Sequence, residues 1–352
     1  MAHRGAPDDA GANAAEIRTR GLEPVSGDQT EDGARPAEIR GAAFYCVSSG
    51  EYFLGAVAMV NSLRLLGHSE PIFVLDCGLT DSQRQLVSPE ATVLPAPDDS
   101  QPFMLKTTAP LAHPAEVMVL IDADIIVTRS LGPLIERAAT DRVVAVADRL
   151  DRFIPEWGEL LGLGEARPRQ YVSSSLVLLG GGFGQRVVRL MDEAQDRIDT
   201  EGTAYSGPER GFHFDDGATA PDAAALAHPW CFADQDLLNG ILATAEPERV
   251  EWLDSRLTAT IPFTGVSVVD ERTLRCVYDD GTEPYALHHV FPVKPWLEPT
   301  IPGIYSQLLA RLLRGRDVAV RVPKGELPPH LRPGLVAAAK GAASRARGGL
   351  RG

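Results

Sequence analysis

From Ala42 onward the chain alternates short apolar runs with longer stretches of helical character, and this alternation limits the fold more than any other feature. The runs AAFYCV, PIFVLD, ATVLPA, VMVLID, VVAVAD and YVSSSLVLL have the length and β-branched content of strands, whereas FLGAVAMVNSLRLLG and LGPLIERAA have helical length and periodicity. Strand and helix in repeated succession predict an α/β fold with a mostly parallel sheet covered by helices on both faces. In such a sheet ligands bind beyond the carboxyl ends of the strands, where Tyr52, Asp122 and Asp148 are expected. The glycine cluster GGGFG at 180–184 does not fit the spacing of a dinucleotide fingerprint and reads as a turn after a strand.

Before this pattern begins, residues 1 to about 40 are rich in Ala, Gly, Asp, Glu and Pro and lack a hydrophobic period, so they are expected to be disordered. Residues 41–300 are expected to form one domain, interrupted at 200–225 by a loop-forming excursion near the site. Residues 301–352 read as a C-terminal helix and a basic tail. Ile304, Leu308, Leu309, Leu312 and Leu313 recur at helical spacing, and from Arg311 onward ten basic residues face two acidic ones. Two readings of this end stay open. In one, the helix docks on the domain and the tail is free. In the other, the tail or the apolar face of the helix makes a peripheral contact with an anionic membrane, at the inner face.

Composition excludes several classes. With 44% hydrophobic residues among 352 the chain can bury a sizeable core, and no apolar run approaches the roughly 20 residues of a bilayer span. The N-terminus has no apolar stretch resembling a signal peptide, and four widely spaced cysteines suit a reducing compartment, so a cytoplasmic protein is expected. A formal net charge of -14 argues against a nucleic acid partner.

Within the apolar run VMVLIDADIIV stand Asp122 and Asp124. A carboxylate is rarely buried without a partner, and two on the same side of a strand end could share a hard cation. Near the other end, LHHVFPVKPW at 287–296 brings two histidines, Lys294 and Trp296 close together, which suits a metal-bound phosphate. A phosphatase that uses the first aspartate as nucleophile also begins with D-x-D, but its motif lies near the start of the domain and leaves K-P-W unexplained.

The D-A-D after an apolar strand, D-Q-D-L-L-N at 234–239 and an H-x5-K-P-W ending, in that order, resemble glycosyltransferase family 8 from about Ala43 to Trp296. The resemblance implies a GT-A fold, a nucleotide-sugar donor that is usually UDP-linked, Mn2+ or Mg2+ as cofactor, and retention of anomeric configuration. It implies Asp122, Asp124 and His288 as metal ligands, with Asp122 also near the donor ribose and Lys294 on the diphosphate. It further implies Tyr52 on the uracil ring, Lys106 on the donor sugar or phosphate, and Asp148, Asp234 and Gln235 around the transferred sugar, Gln235 being nearest the reacting carbon. Trp296 reads as core packing. The acceptor, whether a saccharide, a lipid-linked molecule or a small molecule, is left open. The chain departs from the family pattern at Ser173 and Ser175, which stand where asparagine and glycine are usual, and at Phe291, which replaces a glycine. A hydroxyl at 173 loses a two-sided hydrogen-bonding group, and this keeps open a silent relative that binds a nucleotide-sugar without turning it over.

Overall fold

The structure is a computed structural model that describes residues 38–97, 102–195, 197–198, 226–291, 293–299 and 303–332. All of them belong to one compact unit, Pro36–Gly352. The strands are β1 (Ile39–Ser48), β2 (Ile72–Asp76), β3 (Thr92–Pro95), β4 (Ala115–Ile121), β5 (Ile125–Val127), β6 (Val143–Ala147), β7 (Val172–Gly180), β8 (Val250–Leu253), β9 (Thr258–Thr260), β10 (Val266–Asp270), β11 (Arg275–Tyr278) and β12 (Ala286–His288). The helices are α1 (Phe53–Leu65), α2 (Asp81–Val87), α3 (Thr108–Ala112), α4 (Gly132–Ala138), α5 (Trp157–Leu160), α6 (Gly181–Gln195), α7 (Asp234–Thr244) and α8 (Ile304–Arg314).

Seven strands form the main sheet in the order β3-β2-β1-β4-β7-β6-β8. All pairings are parallel except those of β7, which runs against both β4 and β6. The expected α/β architecture is present. Because β7 is reversed, its first residues lie beside the last residues of β6 and β4: Val172 is opposite Ala147, and Leu176 is opposite Ile121. Strand order moves outward from β1 through β2 to β3 and then returns to β4 on the other side. The carboxyl ends of β1 and β4 therefore flank a topological switch point.

Strand alternation divides the interior in two, since successive side chains point to opposite faces. Phe44 and Cys46 of β1, Val117 and Val119 of β4 and Leu176 and Leu178 of β7 join one core with α1 and α8. Ala43 and Tyr45, Met118 and Leu120, and Val177 and Leu179 join the other with α6 and α7. Helix α1 is buried on every side from Phe53 to Leu63, which accounts for its almost wholly apolar sequence. Its one amide, Asn61, donates to the carbonyls of Leu312 at 3.0 Å and Val320 at 2.9 Å and accepts from the Val320 N–H at 2.7 Å. A buried side chain thus satisfies the backbone at the end of α8.

Three expectations need correction. Strand β1 already begins at Ile39, inside the segment read as disordered, because the Ile39 N–H donates to the Pro114 carbonyl. Residues 1–37 and the excursion at 200–225 lie outside the described residues. The GGGFG cluster is a direct junction of strand and helix: Gly181 has φ +61°, and a Cβ there would strike Asp141. The apolar face of α8 is not available to a membrane, since Tyr305, Leu308, Leu309, Leu312 and Leu313 are all turned into the core. No helix among the described residues is long and apolar enough to cross a membrane, and residues 333–352 of the basic tail are not among them.

Candidate functional site

The two aspartates are not on one strand, as the i, i+2 spacing suggests. Strand β4 stops at Ile121, and the chain turns through Asp122, Ala123 and Asp124 before β5 begins, with the Ile125 N–H donating to the Asp122 carbonyl at 3.2 Å. Asp122 remains tied to the sheet through its N–H, which donates to the Ser175 carbonyl of β7 at 2.9 Å. Both carboxylates converge because the chain reverses at the sheet edge. His288 is delivered by strand register: β12 pairs antiparallel with β5 and sets His288 opposite Ile125, the residue after Asp124. One ligand atom each from Asp122, Asp124 and His288 falls within 4.8 Å of the others.

The adjacent histidine does the opposite. His289 is fully buried, packed against Tyr305 at 5.2 Å and Phe291 at 6.0 Å between ring centroids, and among the described residues neither ring nitrogen has a hydrogen-bond partner. Burial, with Lys294 nearby, pushes its imidazole down to about 4, so it is neutral near pH 7.

A divalent cation fits this donor set. Asp124 is 7% exposed, and its Oδ1 has no hydrogen-bond partner among the described residues although His288 Nε2 lies 3.3 Å away. A buried carboxylate oxygen without a donor among the described residues, beside an imidazole nitrogen and a second carboxylate, is an arrangement that a divalent cation would complete.

Each aspartate also has its own lysine. Lys294, 2% exposed, donates to Asp124 Oδ2 at 2.7 Å and to the His289 carbonyl at 2.6 Å, and its ammonium lies 5.3 Å from the centroid of the Tyr52 ring. Burial works against the Asp124 charge, but Lys294 and His288 outweigh it and hold the carboxyl well below the usual range. Lys106 lies 2.8 Å from Asp122 Oδ1 and 2.9 Å from Asp234 Oδ2, and donates to Ser174 Oγ at 3.2 Å. Burial opposes its charge too, and Asp122 and Asp234 overcome it, raising the ammonium above its ordinary value. For Asp122 burial prevails over Lys106, and with the help of Asp124 it lifts that carboxyl.

The remaining residues extend from Lys106. Asp234 and Gln235 open α7, and Gln235 spans the gap between two strand ends: its Oε1 accepts from the Ser174 N–H at 3.1 Å and its Nε2 donates to Asp148 Oδ2 at 3.4 Å. Asp148, just after β6, also accepts the Leu150 N–H at 2.9 Å. Ser173 turns its hydroxyl to that of Ser175, 2.8 Å away. Tyr52 ends a 3-10 turn after β1 and stands at the start of α1 without capping it through its hydroxyl. Its ring meets Trp296 edge-on at 6.0 Å. Trp296 is buried, donates to the Glu51 carbonyl at 2.7 Å and packs on Gly55 of α1.

Four supporting residues escaped the sequence reading. Asn239 grips both backbone groups of Val172 and the Gln235 carbonyl at 2.8 Å each. Asp236 is buried against Arg152 and Tyr171, and Arg152 reaches on to the His228 carbonyl. Asn239 and Asp236 were legible as polar residues within D-Q-D-L-L-N, whereas nothing local marks Arg152 or names the partners of any of the three. The fourth, Tyr305 of α8, donates to the Asp124 carbonyl at 2.9 Å from 181 positions away.

No protein-family model matches the chain, and no curated protein matches it in sequence. Solved structures do match in shape. The galactosyltransferase LgtC in complex with donor and acceptor sugar analogs aligns over 80% of this chain and 98% of its own, with TM-score 0.50 and 16% identity. The bifunctional glycosyltransferase WbbM aligns over 78% of this chain and 50% of its own at 15% identity and TM-score 0.48. The glycosyltransferase GlyE of Streptococcus pneumoniae TIGR4 aligns over 78% and 61% at 12% identity and TM-score 0.44. The fold is the GT-A fold of family 8 glycosyltransferases.

Proposed function

We propose that this chain is a metal-dependent, retaining glycosyltransferase that moves a hexose from a UDP-sugar to an acceptor hydroxyl. The observation that carries the proposal is the meeting of Asp122, Asp124 and His288 at the switch point of a GT-A sheet. Those three residues would hold Mn2+ or Mg2+, which when bound supplies Lewis-acid neutralisation of a departing diphosphate. Tyr52 offers an aromatic face for the uracil, and Lys294 and Lys106 offer positive charge near the phosphates. Asp148, Asp234 and Gln235 line the side where the sugar would sit. Gln235 is held there by the Ser174 N–H and Asp148, so its amide is oriented before substrate arrives.

Transfer breaks the bond from the anomeric carbon to the diphosphate and forms one to the acceptor oxygen, while the acceptor proton passes to the departing phosphate oxygen. An amide is a poor nucleophile, which favours attack on the same face as departure over a covalent intermediate at Gln235.

A second reading, a nucleotide-sugar-binding protein without turnover, draws on Ser173, whose hydroxyl is committed to Ser175. One assay separates them. Incubation with a panel of UDP-sugars and Mn2+ in the absence of acceptor should release UDP slowly from one donor. Binding without hydrolysis would favour the silent reading, and neither binding nor hydrolysis would sink both.

A further inference from the structure

Asp122 and Asp124 each carry a lysine ammonium within 2.8 Å, although three protein donors for a dication also converge on them. The Lys294 ammonium is caged by the Asp124 carboxylate, the His289 carbonyl and the Tyr52 ring, and is almost out of water. Lys106 is shared between Asp122 and Asp234. A dication that binds here alone either displaces these ammoniums or adds two positive charges beside them in a poorly solvated site, and both cost free energy. A diphosphate removes that cost, because its oxygens supply negative charge for the metal and for the lysines together.

We infer that Lys294 and Lys106 are resident counter-cations that compete with a free divalent ion for Asp124 and Asp122, so that the site accepts its metal with a phosphate-bearing ligand and rejects the ion alone. The inference rests on the metal-site reading above and adds a specificity role for the two lysines. It reverses the usual expectation for residues beside a ligand, since removing either one should strengthen metal binding. The charge pattern also explains how a buried carboxylate and a half-buried one persist side by side in a folded chain before any ligand arrives.

Titration calorimetry on the full chain tests this with Mn2+ alone and with Mn2+ in saturating UDP. Wild-type protein should bind Mn2+ alone weakly and bind it about tenfold or more tightly with UDP present, within the usual range of coupling between two sites. Lys294→Met keeps an apolar stem and removes the charge. It should bind Mn2+ alone about tenfold more tightly than wild type, and UDP should add much less. Lys106→Met should move in the same direction, and it decides the matter if Lys294→Met does not fold. Equal or weaker binding of Mn2+ alone in the folded variant would overturn the inference, as would a wild-type Mn2+ affinity that ignores UDP. Wild-type protein that binds no Mn2+ even with UDP would instead overturn the metal site itself.

Discussion

The chain contains two Asp-x-Asp triplets close to one another in space, and they are built to different ends. In 122–124 both carboxylates come to one place, and Asp124 Oδ1 has no hydrogen-bond partner among the described residues. In 234–236 they diverge: Asp234 meets Lys106, while Asp236, fully buried, accepts from Arg152, from the Tyr171 hydroxyl and from the Phe232 N–H. Backbone geometry makes the difference. Residues i and i+2 lie about 200° apart around a helix, so the triplet that opens α7 must send its ends to opposite sides. A turn at a strand end can bring them together. Identical spacing therefore says little until the local backbone is known: Asp236, with both oxygens hydrogen-bonded, marks structure, whereas Asp124 and Asp234 each keep one buried oxygen without a hydrogen-bond partner among the described residues.

The same substitution made in both triplets tests that contrast most severely. Asp236→Asn removes the charge facing buried Arg152 and sets an amide N–H2 among three donors, so unfolding should cost about 3–5 kcal/mol less than in wild type. Asp124→Asn leaves an oxygen for Lys294 and should lose less stability, but Mn2+-dependent UDP binding should disappear. Thermal melts and calorimetry on the two variants check this. A comparable stability loss in both, with metal-dependent binding intact in Asp124→Asn, would erase the distinction.

Between the two aspartates of the second triplet stands Gln235, whose amide is aimed by Ser174 and Asp148. Gln235→Ala should lower kcat by roughly a hundredfold, the scale of losing one aimed polar group, while the donor KM changes little. Steady-state kinetics with the donor found in the hydrolysis screen would read the split. A defect confined to KM would move Gln235 away from the reacting carbon and make it a binding residue.

The first triplet depends on how closely α1 approaches its turn. A Cβ at Gly55 would lie well inside contact distance of the Ala123 carbonyl oxygen and of the Trp296 ring. Gly55→Ala should therefore push the turn outward, costing about 1–3 kcal/mol as overpacking does and weakening metal affinity at the same time. A melt and a Mn2+ titration with UDP should shift together. Stability lost without any change in metal affinity would mean that the turn holds its shape independently of α1.

Much of the framework was legible in advance, because buried strands write themselves as apolar runs, and six of those runs became β1, β2, β3, β4, β6 and β7. Strand direction was not legible. A strand buried on both faces carries no mark of its polarity, so the reversal of β7, which brings Ser173–Ser175 to the site, could come only from the folded chain. His288 and the aspartates could be singled out by residue type and by resemblance. Their ion pairs with Lys294 and Lys106 could not, since no local pattern links Asp124 to a lysine 170 positions away. The aromatic position of Tyr305 was hidden for another reason: within an apolar helical stripe a tyrosine reads as packing, and its hydroxyl's destination depends on where the helix docks.

That hydroxyl offers the finest test of the contrast between the triplets, because it acts on the first alone. Tyr305 donates to the Asp124 carbonyl at 2.9 Å, and the His289 N–H donates to the same oxygen at 3.2 Å, so α8 and the segment after β12 together fix the backbone from which the ligand projects. Tyr305→Phe keeps the ring stacked on Phe263 and against His289 and removes only the hydroxyl. The expected loss of stability is about 1 kcal/mol, that of one buried hydrogen bond. Metal affinity in the presence of UDP should fall by a few fold, since the turn gains freedom that binding must then remove. Leu309→Ala, a cavity in the same helix, serves as the control: it should destabilise the fold by about 2–5 kcal/mol and leave metal affinity nearly unchanged below its melting transition. If Tyr305→Phe lowers only the melting temperature, α8 supports the site as bulk and not as a positioning element.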